Sequence, residues 1–117
     1  IDLMEGIKKA NDVRRVSNLT QIEILGLESY YSRHGGYPVL IDTSEDGEFL
    51  EVLRNFDVEN LLDPRHPKYF YEYEGTQNSY ILKCYCEIEG GYCDMRDSVK
   101  DHMLINSHSF GQELRTD

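Results

Sequence analysis

The chain has 117 residues and carries 12 Lys plus Arg against 22 Asp plus Glu, a net charge of -10 with a pI of about 4.7. That balance excludes a nucleic-acid phosphate backbone or an anionic membrane surface as the main partner, because both require a basic surface. Apolar residues make up 39% and aromatics 11%, so the chain is not a disordered acidic tail, and it is short enough for a single domain.

The charge is split along the chain. Residues 1 to 34 are neutral, with five basic and five acidic side chains, and residues 35 to 117 carry the whole -10. The first part reads as one long helix. Ile7, Ala10, Val13, Val16, Leu19, Ile22 and Leu25 recur in threes, with Leu27, Tyr30 and Tyr31 completing a stripe expected to be buried. Gly26 lies within it as a point of close packing. His34-Gly35-Gly36 supplies the stop, and Tyr37-Pro38 leaves in extended form. A helix over residues 7 to 34 measures roughly 42 Å, more than a domain of this size covers, so one end is expected to project.

A short capped helix is predicted over about 45 to 55, from Thr43-Ser44 and the spacing of Phe49, Val52, Leu53 and Phe56. A further helical turn over Asp57 to Leu62 ends at Asp63-Pro64. The period then changes to two. Tyr69, Tyr71 and Tyr73 are placed on one strand face, and Tyr80, Leu82, Cys84 and Cys86 on one face of the next. Gly90-Gly91 signals a two-residue hairpin returning through Tyr92 to Met95. Ser98 to Ile105 reads as a short helix or an edge strand. The expectation is a single α+β domain, a long N-terminal helix packed on a small antiparallel meander. Its parts are a helical stem (1–36), a connecting region (37–66), a sheet (67–97) and a tail (98–117).

Two stretches carry a resemblance. One runs from Lys9-Ala10-Asn11-Asp12-Val13-Arg14-Arg15 to Tyr30-Tyr31-Ser32-Arg33-His34-Gly35-Gly36-Tyr37-Pro38. The other is Leu61-Leu62-Asp63-Pro64 followed by Tyr69-Phe70-Tyr71-Glu72-Tyr73 and Tyr80-Ile81-Leu82. Together they cover about half of the chain and resemble the type IV pilin and type II secretion pseudopilin superfamily. The family's cleavage site and its apolar segment of about 20 residues are not in this sequence. The resemblance implies that Ile1 to Ile7 continue such a segment. It implies a structural subunit, not an enzyme, that needs no cofactor. The implied partners are further pilin or pseudopilin subunits, and the membrane through the preceding segment. The implied location is the cell surface or periplasm. Arg14 and Arg15 fall where the helix enters the head, as assembly contacts for acidic residues of an adjacent subunit. The rival reading is an extracytoplasmic, non-enzymatic α+β module that binds a peptide or sugar.

Cys84 and Cys86 lie about 6.6 Å apart on one strand face, at the edge of disulfide reach. With a two-residue turn at Gly90-Gly91, Cys86 faces Met95 and Cys93 is its diagonal neighbour. If a bridge forms, Cys86 to Cys93 is favoured, leaving Cys84 buried and free; an extracytoplasmic location suits such a bridge. A zinc site from Cys84, Cys86, Cys93 and His102 fits the usual ligand spacing poorly. Asp94, Asp97 and Asp101 offer oxygens for calcium without an EF-hand pattern. No nucleophile-elbow, phosphate-loop or zinc-protease motif occurs. His34, His66, His102 and His108 read as surface or turn histidines. Asn18-Leu19-Thr20 is a glycosylation sequon in pattern alone.

Overall fold

The computed structural model of the chain describes residues 2–100. Helix α1 spans Leu3–Gln21, a π-helical segment spans Ile22–Leu27, and α2 spans Glu28–His34, so the three form one continuous rod. The Asp2 carboxylate caps it by accepting the Glu5 amide at 2.7 Å. Gly35 ends it in the left-handed conformation (φ 77°), donating to the Tyr31 carbonyl. The rod is about 48 Å long, and the molecule measures 58 × 28 × 20 Å.

Four strands form the sheet: β1 (Ile41–Asp42), β2 (Glu72–Gly75), β3 (Ser79–Tyr85) and β4 (Tyr92–Val99). Their order is β1-β2-β3-β4, every neighbouring pair antiparallel. Between β1 and β2 lie the short helix α3 (Glu48–Val52) and a 3-10 turn (Arg54–Phe56). The chain is therefore α+β, a long N-terminal helix on an antiparallel meander.

Period two holds on β3, where Tyr80, Leu82 and Cys84 are buried and Ile81 is exposed. With Tyr71 and Tyr73 they meet Leu19, Ile22 and Leu27 of the rod, and Phe49, Leu50, Leu53 and Val58 of the connecting region. Phe49 stacks on Tyr73 at 5.0 Å between ring centroids. Each buried tyrosine hydroxyl has a partner, as burial requires. Tyr73 donates to the Pro38 carbonyl (2.7 Å), Tyr80 to Glu23 (2.6 Å) and Tyr37 to Glu28 (2.8 Å), and Tyr71 accepts from Asn18 (2.9 Å).

Several expectations are corrected. The buried face of the rod is not the repeat in threes: Ile7, Val13, Val16 and Leu25 are 46%, 64%, 38% and 48% exposed. The buried positions are Arg15, Asn18, Leu19, Ile22, Gly26 and Leu27. A repeat in threes drifts off a fixed helix face, whereas these follow the spacing of three and four. The wider π turn then carries the face on toward Tyr30 and Tyr31, which are partly buried against the core. Gly26 is the expected close contact, since a β-carbon there would lie 3.1 Å from Leu53 and 3.2 Å from Val58.

The predicted helix over 45 to 55 is shorter. Gly47 (φ 70°) precedes α3, and it is Asp42, not Thr43 or Ser44, whose carboxylate takes the Phe49 amide at 3.1 Å. Asp57 to Leu62 forms turns and no helix, and strand β2 starts at Glu72, leaving Tyr69 outside it. Ser98 and Val99 are strand; the rest of the predicted Ser98 to Ile105 element, beyond Lys100, lies outside the described residues.

Gly75 shows how tightly the sheet edge is closed. It donates its amide to Leu40, and an added β-carbon would strike the Pro38 carbonyl and the Tyr73 hydroxyl. Gly75→Ala is expected to destabilise the fold by about 1–3 kcal/mol. Urea unfolding should show this as a lower midpoint at unchanged slope.

Candidate functional site: the junction of helix and head

The rod has two parts with different surroundings. From residue 2 to residue 10 every side chain except the half-buried Lys8 is exposed. From Arg15 onward one face is covered by the sheet. The two parts meet at a buried cluster of charge.

Arg15 is fully buried. Its guanidinium grips Asp63 with two hydrogen bonds, Nε to Oδ2 at 2.7 Å and Nη2 to Oδ1 at 2.9 Å. Nη1 reaches Asp12 one turn earlier at 2.7 Å, and Nη2 also reaches Glu87 at 2.9 Å. The planar fork suits this many carboxylates better than an ammonium would. Glu87 is shared further, accepting from Arg65 (2.8 Å) and Asn11 (2.9 Å). Tyr69 lies under the cluster, with the Arg15 guanidinium 4.6 Å from its ring centre. Two cations, Arg15 of the rod and Arg65 of the loop after Asp63, thus meet three carboxylates, Asp12 of the rod, Asp63 itself and Glu87 of the β3–β4 connection.

The ionisation of the cluster follows from its geometry. Burial opposes a charge on Arg15, but its bonds to Asp63, Glu87 and Asp12 outweigh that and hold it firmly protonated. Burial likewise opposes a charge on Glu87, yet hydrogen bonds from Arg65, Asn11 and Arg15 bring its carboxyl below the usual range.

Asp12 also fixes the β3–β4 connection. Its carboxylate accepts the backbone amides of Glu87 (2.9 Å) and Ile88 (3.2 Å). Those amides are then unavailable to the sheet, which corrects the expected two-residue hairpin. Tyr85 pairs with Tyr92, Cys84 with Asp94, and Met95 with Lys83 rather than with Cys86. Gly90 and Gly91 still turn the chain, both left-handed (φ 75° and 66°), but at the tip of a longer loop. Cys86 and Cys93 are joined nonetheless, their Cα atoms 5.0 Å apart. Cys84 is the buried free thiol, pushed up to about 12 by burial first and the nearby Asp94 second.

The candidates from sequence separate here. Arg15 is corrected: its charge is spent inside its own chain, so no adjacent subunit can reach it. Arg14, the next residue, is exposed, and among the described residues no ion pair engages it. Cys86 and Cys93 bind each other and so do not form the zinc set; His102 and Asp101 lie outside the described residues. Asp94 is paired with Arg96 at 2.7 Å. The sequon asparagine, Asn18, is buried, its amide held by Tyr71 and the Leu62 carbonyl. His34 is exposed and stacks on Tyr30. Asp12, Asn11, Asp63, Arg65 and Glu87 were not among the expected site residues. A signal existed: Arg15 stands four before Leu19 and seven before Ile22, a charge in a core position that demands partners.

Comparison of the chain with known protein families, curated proteins and solved structures returned no match.

Two predictions follow from the cluster. Arg15→Met should cost about 3–5 kcal/mol, because it strands buried carboxylates, whereas Arg14→Ala should stay within about 0.5 kcal/mol; chemical denaturation of both separates the roles. Glu87, whose carboxyl is lowered on folding, contributes stability above pH 4.5, its ordinary value, and loses it as pH falls through the folded value. Melting temperature against pH should therefore fall more steeply in acid for the native protein than for Glu87→Gln.

Proposed function

We propose that this protein is a pilin-like structural subunit, a pilin or pseudopilin, that assembles into a filament through its N-terminal helix. One observation carries the reading: the rod extends past the head with its apolar side chains uncovered. Leu3 is 79% exposed, Met4 58% and Ile7 46%. Exposed apolar side chains of this kind, close together on the first turns of the rod, suit packing against copies of the same helix. The buried ion cluster supports the reading from below, since it clamps the rod where it leaves the head. A projecting helix can bundle in register only if its angle to the head is fixed.

In this reading Arg14 is the contact offered to an acidic patch of the next subunit, and the head supplies that acid. The helix acids Glu23 and Glu28 are matched within the chain by Arg96 and Lys100. Much of the head's basic charge is therefore turned inward. The subunit resides in the membrane before assembly and at the cell surface or in the periplasm afterwards. It performs no chemistry on a substrate.

Assembly in cells expressing the full-length protein tests this. Ile7→Glu with Val13→Glu should leave the melting temperature of the head nearly unchanged and abolish recovery of the subunit in sheared filaments. Normal incorporation of the double variant would refute the proposal. The sequence encoded before Ile1 gives an independent check. A basic leader, a glycine at the cleavage point and about 20 apolar residues with an early glutamate are expected. An ordinary secretory signal directly before Ile1 would count against it.

A further inference from the structure

We propose that the Cys86–Cys93 disulfide exchanges with the Cys84 thiol, so that Cys93 alternates between two partners and the free thiol moves from the core to the groove beside α1. The geometry that points to this is a cluster of three sulfurs. Cys84 Sγ lies 3.6 Å from Cys93 Sγ, in contact with the disulfide it would attack. Cys84 and Cys86 are two apart on the chain, and Cys93 comes from the facing strand. The β3–β4 pairing shifts register between Cys84 and Tyr85, next to the point of exchange. An irregular ladder there lets Cys93 lean toward either partner with little change in the strands beyond.

The step is balanced without an external oxidant. Cys84, having lost its proton to solvent, attacks Cys93 Sγ. The Cys84–Cys93 bond forms as the Cys93–Cys86 bond breaks, and the electron pair leaves on Cys86, which takes up a proton. Nothing is oxidised or reduced overall.

The two isomers differ in what they expose. In the form observed, the free thiol is buried on β3 with no exposed surface. In the exchanged form it is Cys86, whose surroundings are a groove lined by Glu5, Lys9, Asp12, Ile88 and Glu89. The carboxylate of Asp12 lies within 4.8 Å of the Cys86 and Cys93 sulfurs.

The groups facing Cys84 set how readily it reacts. Burial above all, then Asp94 on β4 and Asp63, keep its proton on, while Arg15 on the rod and Arg96 on β4 oppose them. Tyr71 packs on the same side and stays neutral. Exchange is therefore slow near neutrality and accelerates about tenfold per pH unit as the thiolate fraction grows.

The test uses the full chain in its oxidised form, held at about pH 7 or about pH 9, quenched in acid, denatured and labelled with a maleimide without reductant. Chymotrypsin cleavage after Tyr85 and mass spectrometry then locate the label. Label confined to Cys84 at neutral pH, and a share on Cys86 that grows in alkali at a rate independent of protein concentration, are expected. The Cys86→Ser variant, oxidised in the same way, should join Cys84 to Cys93 and show no free thiol. Label that stays wholly on Cys84 at both pH values overturns the proposal. So does Cys86 labelling whose rate scales with protein concentration, or a Cys86→Ser protein with two free thiols.

Discussion

The molecule depends on one buried cation. From its place on the rod, fully buried, Arg15 ties together Asp12 one turn earlier, Asp63 before the following loop, and Glu87 on the β3–β4 connection. Taking a guanidinium out of water is costly, and the cost is offset only when its donors are matched by well-placed acceptors. Here three carboxylates match them. The requirement runs outward: Asp63 must sit at the end of the Asp57–Asp63 stretch, Asp12 one turn earlier on the rod, and Glu87 just beyond β3. A hydrophobic residue at position 15 would pack the rod on the sheet without dictating any of these positions. The charge makes the contact specific in angle as well as favourable.

The same cluster decides the shape of the sheet's far end. Asp12 captures two backbone amides that a tight hairpin would have used between strands. The connection lengthens, β4 pairs with β3 in a different register, and the three cysteines come together around Cys93. The disulfide and the ion cluster therefore reinforce one loop from two sides. From residue 10 back to residue 2, every side chain of the rod except the half-buried Lys8 is exposed. The exposed Leu3, Met4 and Ile7 side chains there are the feature from which the proposed assembly follows.

The cluster also explains why the net charge is so uneven in effect. The acids of the rod at positions 12, 23 and 28 face the head and are bonded to groups there. Arg96 and Lys100 are consumed in that contact, as is Arg65 through Glu87. The head's remaining surface is left strongly acidic, and Arg14 stands as an exposed cation at its border. Electrostatics in this protein thus divides into a buried part that fixes geometry and an exposed part available for recognition.

Local pattern by itself determined the long rod, its stop at Gly35, the period-two strand of Tyr80, Leu82 and Cys84, the close contact at Gly26 and the α+β class. These follow from residue spacing and backbone preference, which act over a few positions and are readable in a line. The pairing of Cys86 with Cys93 was also legible, although the register from which it was drawn was wrong, because diagonal neighbours remain close under a small slip. What only the tertiary structure decided was which face of the rod is buried, where β3 turns into β4, and what Arg15 does. The last two rest on groups 48 to 76 positions apart in the chain. Spacing cannot report such contacts, because a carboxylate distant in sequence leaves no periodic trace; its selection is made when the chain closes and a buried charge must find its partners.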